Sequence, residues 1–362
     1  MPKPKSFEFC LIHVGHLGGN SLSNYLNANP DIAIIQPHIA DELFNSGKEN
    51  EIFDENYYPE FYREKKIGFH LHLARRLFPP ENGQQHIGKK LANVTGSLVE
   101  DGLAIQVVRD PLPHMVSIYN YQVTQRQIEI TKNSGKEDNY GVGNIDHFIE
   151  RSAQMFLKSF DIRQRTTGNI ANWEVVDTGE LAGDRITGTI ANLYRRLGVY
   201  EHYKCELFAE RWSGLEERYM TDITIDLDLG LRTLPFRIAF QNDPSYQLGD
   251  YFVAAKGPSI NGQMDFKFRD RPVQLVVLNH LWCSLPRKFR SDLVWSGRLQ
   301  DMFNQKVLPY WIHAVNALHA DVEPQLITGL QMKHEARVRE LISEDVANMR
   351  EAHPKLEDLW KF

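Results

Sequence analysis

Two short stretches of this 362-residue chain carry residue types suited to holding an anion. The first is Gly15-His16-Leu17-Gly18-Gly19-Asn20-Ser21, set between an apolar run and a segment of helical spacing. Glycine lets a backbone approach a phosphate closely and adopt positive φ. N–H groups at the start of a helix then meet the anion at the positive end of the helix dipole. The side chains of Asn20 and Ser21 would add donors. The plain alternative is a tight turn ahead of a capped helix, since glycine-rich matches carry a real false-positive risk. A nucleoside-triphosphate loop needs four residues between its glycines, then Lys, then Ser or Thr. Here three residues separate Gly15 from Gly19, and Asn20 stands where a lysine would. ATPase and GTPase readings are therefore rejected, and a nucleotide kinase is disfavoured.

The second stretch is VVRDPLPHMVSIYNY, residues 107–121. A strand ending at Val108 would deliver Arg109 to its carboxyl end, and a helix would carry Ser117 two turns further on. A guanidinium forks two donors onto a phosphate, and a nearby hydroxyl adds a third. Taken alone, Arg109 reads more simply as a surface ion pair with Asp110. Between the two stretches lie His70 and His72, at a spacing that puts both on one face of a candidate strand. Histidine changes its charge near neutral pH and serves as a general base, although either residue is also readable as a hydrogen-bonded structural histidine. His38 with Asp41 and Glu42 offers another basic group, but a solvated helix start accounts for those three.

The elements that must position these residues follow from the apolar pattern. Phe7–Val14 is nearly continuous in apolar residues, as in a strand buried on both faces of a parallel sheet. Leu22, Tyr25 and Leu26 recur at helical spacing, and Asn29-Pro30-Asp31 ends that helix. Further strands are expected at Ile32–Ile35, Lys66–Leu73 and Leu103–Val108. A helix is expected from about Leu112 to Gln125, behind a proline that suits a first turn. Residues 132–145 are polar and glycine-rich and predict an exposed loop or lid. Helical patterns cover Ile145–Phe160 and Ile186–Leu197, with a strand near Lys204–Ala209. Residues 222–270 predict irregular structure with short strands. From Val273 on the pattern reads as mostly helical, including the charged stretch Gln331–His353. Alternation of strands and helices argues for an α/β fold around a parallel sheet.

Composition narrows the function classes. A hydrophobic content of 42% supports a sizeable core, in one large domain or two smaller ones. A net charge of −6 implies no general polyanion-binding surface, so no nucleic-acid partner is expected. Cys10, Cys205 and Cys283 are far apart, and a sparse, odd set fits a reduced intracellular protein without a cysteine metal site. No stretch approaches the ~18 apolar residues that span a bilayer, and residues 1–9 lack a signal-peptide core. The expectation is a cytoplasmic protein with no membrane partner.

Together the two anion-holding stretches resemble the sulfotransferases that use 3′-phosphoadenosine-5′-phosphosulfate (PAPS). In that family the first strand ends in a 5′-phosphosulfate loop of the form P-K-x-G-T-T-S/W-L. Residues Gly15 to Leu22 keep its central glycine, Gly18, and its closing Ser21-Leu22. YLNANPDI, residues 25–32, is similar to the family's passage from this helix into the next strand. The family's 3′-phosphate element is a strand, then R-[ND]-P, then a serine eight residues after the arginine. Arg109, Asp110, Pro111 and Ser117 fit it. HLARRLFPPE, residues 72–81, resembles the H-L-P-x-x-L-L-P segment of the cytosolic branch, whose histidine is the catalytic base. The resemblance covers roughly residues 7 to 125.

The resemblance implies a P-loop-like three-layer α/β fold with a central parallel sheet, here with a helical C-terminal extension. The expected division is residues 1–270 for the α/β domain and 271–362 for the extension. It implies PAPS as donor, no metal, and Gly15, His16, Leu17, Gly18, Gly19, Asn20 and Ser21 around the phosphosulfate. Arg109 and Ser117 would hold the 3′-phosphate, and His72 would be the base with His70 in reserve. His16 stands at the position of the family's lysine, which stabilises the leaving oxygen. An imidazole does this only when protonated or donating a hydrogen bond, and a nearby dianion raises its pKa. Lys256 and Gly257 in FVAAKGPSING are similar to the R-K-G-x-x-G loop that closes on the 3′-phosphate, but Ala255 replaces the arginine and a surface loop is the simpler reading. Arg287, Lys288 and Arg290 read as a solvated helix edge. The expected activity is sulfuryl transfer to a hydroxyl or amine of a small-molecule acceptor, for example a specialised metabolite such as a guanidinium alkaloid toxin. The alternative is a non-catalytic nucleotide-binding or scaffold protein of the same fold. A homodimer is compatible with the sequence, and no stretch specifies an interface.

Overall fold

The apolar run near the N-terminus forms the first strand, β1 (Phe7–His13), in which every residue but Glu8 is buried. It is followed by α1 (Gly19–Asn27), β2 (Ile32–Ile35), β3 (Lys66–His72) and β4 (Leu98–Val108). Next come α2 (Pro111–Lys132), α3 (Ile145–Ser152), β5 (Trp173–Asp177) and α4 (Arg185–Arg196). The remaining strands are β6 (Thr224–Asp228), β7 (Thr233–Phe240), β8 (Lys267–Phe268) and β9 (Arg271–Val277). The last helices are α5 (Arg287–Trp295), α6 (Arg298–Met302), α7 (Leu308–Ala317), α8 (Met332–Ala352) and α9 (Lys355–Leu359). The computed structural model describes residues 7–13, 19–27, 29–35, 65–72, 98–132, 144–153, 157–158, 160, 172–200, 224–240, 267–268, 271–277, 281–282 and 284–362.

The chain divides into two units, Met1–Tyr121 with Gly141–Glu210 and Ile327–Phe362, and Gln122–Tyr140 with Arg211–Leu326. In the first, five strands pair in parallel in the order β2-β3-β1-β4-β5. Helices follow β1, β4 and β5, and the strands are mostly apolar and buried. A strand–helix–strand crossover is right-handed, so connections running in opposite directions along the sheet place their helices on opposite faces. That is the α/β architecture the alternation predicts. Phe9, Leu11, Leu22, Leu26, Phe69 and Ile105 are fully buried. Gly68 is required in β3 because a Cβ there would overlap the ring of Phe9. The end of α1 is set by asparagine side chains: Asn27 Oδ1 accepts from the Ile34 N–H (3.3 Å) and Asn29 Oδ1 from that of Asp31 (3.0 Å). The Tyr194 hydroxyl of α4 donates to the Tyr25 carbonyl of α1 at 2.7 Å.

The second unit holds an antiparallel sheet in the order β6-β7-β9-β8. Ile225 and Leu227 of β6 are buried while Asp226 and Asp228 are exposed, the period-two signature of a sheet covered on one face. Phe236 and Trp282 meet edge-on with centroids 6.3 Å apart, and Trp311 and Phe303 are buried.

Several boundaries differ from expectation. The chain from Val273 is not helical at first: Val273–Val277 belong to β9, which pairs with β7. A short apolar run has no periodicity to separate strand from helix, and the cross-strand partner decides it. β4 starts at Leu98 rather than Leu103, because the residues between bulge out where Phe7 pairs with Leu98 but Phe9 with Leu103. α2 runs past Gln125 to Lys132, and the α-helix starting at Ile145 ends at Ser152, beyond which Ala153 and Leu157 are π-helical and Phe160 α-helical. β5 is too short at five residues to stand out by pattern. The expected strand Lys204–Ala209 and residues 133–143 of the expected loop lie outside the described residues.

Candidate functional site at the carboxyl edge of the parallel sheet

Ligands of open parallel sheets bind outside the carboxyl ends of the strands, where successive connections reverse direction. From β1 the chain crosses to β2 on one side, and from β4 it crosses to β5 on the other, so the reversal falls between β1 and β4. The two strands end level, with His13 paired to Val107. β1 and β4 deliver the two stretches singled out in the sequence to this point.

Gly19, the first residue of α1, is buried, and Ser21 is exposed. Gly15, His16, Leu17 and Gly18 lie outside the described residues, as do the side chain of Asn20 and the whole of Lys256 and Gly257. Arg109 directly follows β4 and is half-buried, as is Ser117 two turns along α2. The turn that carries Arg109 is held by its neighbours. Asp110 Oδ1 accepts from the Leu112 N–H at 3.0 Å, and its carbonyl accepts from the His114 N–H at 3.0 Å. An aspartate cap ahead of a first-turn proline is a strong local start for a helix.

A second capped turn lies beside it on β5. Asp177 ends the strand opposite Val108, and the Thr178 hydroxyl donates to the Val108 carbonyl at 3.0 Å. Asp177 Oδ1 accepts from the Gly179 N–H at 2.7 Å, and the Asp177 N–H donates to Glu180 Oε2 at 2.8 Å. The last turns of the chain close over both caps. Trp360 Nε1 donates to Asp177 Oδ2 at 2.8 Å, and the Lys361 N–H donates to Asp110 Oδ2 at 2.7 Å. Burial pushes the Asp177 carboxyl above the usual carboxylate range, against the opposing pull of the Trp360 and Gly179 hydrogen bonds; the charges of Glu180 and Asp110 add to the rise. Motif reading did not select Asp177 or Trp360. The D-x-x-E spacing of Asp177 and Glu180 is a capping-box signature that was available to it.

The histidines are arranged in a way the sequence did not suggest. His13 and His70 are both buried, with His70 Nε2 3.1 Å from His13 Nδ1 and ring centroids 4.7 Å apart. His70 turns its Nε2 inward toward His13. The His13 ring lies against the start of α1, where a Cβ on Gly19 would overlap it. His72 is the last residue of β3 and pairs with His13 in register; its side chain lies outside the described residues. Cys10 is buried, and burial pushes its thiol up to about 12, so it is no nucleophile at neutral pH.

Among the described residues no group of three or more His, Cys, Asp or Glu is placed to hold a metal ion. No helix among them is long and apolar enough to cross a membrane. A polar cleft of about 210 Å³ lies against β5 and α4, lined by Glu174, Glu180, Thr189, Asn192 and Lys355 among others; none of the residues at the β1–β4 reversal lines it.

No protein-family model and no curated protein matches this chain. Among solved structures it is similar to a sulfotransferase from Alicyclobacillus acidocaldarius, at 15% sequence identity over 60% of this chain and 91% of that one, with a TM-score of 0.31. The α/β assignment rests on the order and register of the chain's own parallel sheet.

Proposed function

We propose that this chain is a PAPS-dependent sulfotransferase acting on a hydroxyl or amine of a small-molecule acceptor. One observation carries the reading: the stretch around Gly19 and Ser21 and the stretch around Arg109 and Ser117 flank the point where the connections leaving β1 and β4 diverge. A ligand with phosphates at both ends requires two anion-binding elements on neighbouring strands, and β1 and β4 are neighbours. The residues present fit such a ligand, since a guanidinium, two hydroxyls and the N-terminus of a nine-residue helix all favour phosphate.

PAPS supplies the sulfuryl group and the leaving bisphosphate. The chain's own residues bind and orient: N–H groups at the start of α1 with Ser21 at the phosphosulfate end, Arg109 and Ser117 at the 3′-phosphate. His72 accepts the acceptor's proton, at the end of a strand adjacent to β1. Positioning and charge stabilisation do most of the remaining work, as in phosphoryl transfer.

Titration calorimetry with adenosine 3′,5′-bisphosphate, followed by turnover of labelled PAPS over an acceptor panel, tests the reading. Saturable binding with transfer to at least one acceptor is expected. Binding with no transfer to any acceptor would favour the non-catalytic alternative, and Mg²⁺-dependent ATP binding tighter than bisphosphate binding would favour a kinase.

A further inference from the structure

The stretch expected to hold the phosphosulfate has no lysine, yet a buried histidine pair stands against Gly19, the first residue of α1. We infer that His13 and His70 together take up one proton when an anion binds ahead of α1, so that the pair supplies the missing positive charge. This inference rests on the proposed nucleotide site.

The geometry links the two rings through one shared hydrogen bond, whose donor and acceptor follow the tautomers. At 3.1 Å, His70 Nε2 and His13 Nδ1 share a hydrogen bond, so one of them carries the proton and the other accepts it. One further proton makes the pair an imidazolium bonded to an imidazole, a charge-assisted and stronger bond. Two effects oppose that step in the unliganded protein. Both rings are buried, which disfavours the charged form. The His13 ring also touches the first residue of α1, where the helix dipole is positive. A dianion ahead of α1 cancels the dipole's repulsion and attracts the new charge, so binding and proton uptake favour each other.

The described residues packed against the pair come from β1, β3, β4 and α1. On its own face of β1 the neighbour is Leu11, with Cys10 and Ile12 alternating to the other side. β3 supplies His72 in register with His13, β4 supplies Ile105 and Val107 in register with Leu11 and His13, and α1 supplies Gly19. Among the described residues the ionisable groups along the same edge include Arg109, Asp110, Asp177, Glu180 and the buried His114; Asp110 accepts from the Leu112 and Lys361 N–H groups, and Asp177 from the Gly179 N–H and the Trp360 indole. His16, close along the chain, His72, in register with His13, and the buried His114 are competing proton acceptors.

Calorimetry of adenosine 3′,5′-bisphosphate binding to the intact protein, in buffers of differing ionisation enthalpy, reads the uptake directly. The range of about pH 7 to 8.5 is used because phosphate monoesters are by then largely dianionic, with a second pKa near ~6. Net uptake approaching one proton is expected, with affinity rising up to ~10-fold per pH unit lowered, the limit for one linked proton. His13→Gln and His70→Gln should each bind with little uptake and a flattened pH profile. Saturable binding with no uptake overturns the inference and leaves the nucleotide site standing. Uptake that persists in a folded His13→Gln protein also overturns it, by assigning the proton to another group such as His16. No bisphosphate binding at any pH removes both the site and the inference. Should neither variant fold, ring ¹⁵N shifts of labelled wild-type protein decide: an imidazolium signal from the two buried rings on adding bisphosphate supports the pair, and unchanged buried rings overturn it.

Discussion

Arg109 sits on a turn that its neighbours hold in place, so its guanidinium can be removed with little effect on the backbone around it. Arg109→Ala should weaken bisphosphate binding by ~1.5 to 3 kcal/mol, the range for hydrogen bonds to charged groups; unchanged affinity in calorimetry would take it out of the site. His72→Ala should cut turnover by ~10² to 10⁴-fold, as for loss of a general base, with bisphosphate affinity nearly intact. Little change in rate would return the role to the acid cluster near His38. His70 is poorly suited to it, because its Nε2 faces His13 inside the sheet layer. Gly19→Ala should destabilise the protein, since its Cβ and the His13 ring cannot share one space; an unchanged urea midpoint would show that the ring moves freely. At this scale Arg109 and Ser117 were legible because strand, proline and serine are local features. The His13–His70 pair was not, because its partners are 57 residues apart and only the register of β1 on β3 brings them together.

Two aspartates govern the turns at the ends of β4 and β5, and each serves two segments at once. Asp110→Ala removes the cap of α2 and the acceptor for the Lys361 N–H, and should cost about 1 to 3 kcal/mol in denaturant unfolding. Asp177 behaves differently because its carboxyl is raised in the fold. The folded state holds its proton more tightly than the unfolded state, whose carboxyl titrates near ~3.9. Its contribution to stability is therefore favourable below that value and diminishes as pH rises through the raised folded value. Asp177→Asn should flatten the pH dependence of the unfolding free energy in that window, and an unaltered profile would show that the carboxyl is not the cause. β1, β2, β3 and the second half of β4 were readable from apolar runs bounded by Gly, Asn and Pro. β5 and β9 were not, because short runs are assigned by the strands they pair with rather than by their own pattern.

The whole chain has a net charge of −6, so a doubly phosphorylated ligand depends on local donors rather than on a general field. Its two units have separate sheets, and one of the four points where the chain passes between them lies inside α2, between Tyr121 and Gln122. Hydrogen exchange resolved by peptide should show one opening free energy shared by β1, β3 and β4, and another shared by β7 and β9. A single value throughout would make the chain one cooperative system. Alternation in the first two-thirds was enough to anticipate the parallel sheet. Nothing local announced that residues 355–361 would be held by β4 and β5, because those contacts join positions 183 and 251 residues apart.

That separation bears on the order in which the protein can be made. β1 to β5 have all been synthesised by residue 177, yet the Trp360 and Lys361 bonds to Asp177 and Asp110 must wait for more than half of the chain to follow. Until then two carboxylates at the edge proposed to bind the nucleotide lack their long-range donors and keep only the local ones, the Leu112 and Gly179 N–H groups. Long-range contacts of this kind form slowly, since a large loop must close before they contribute. During translation the strands of the sheet emerge first, and the edge proposed to bind the nucleotide gains these two bonds only after residues 360 and 361 have followed.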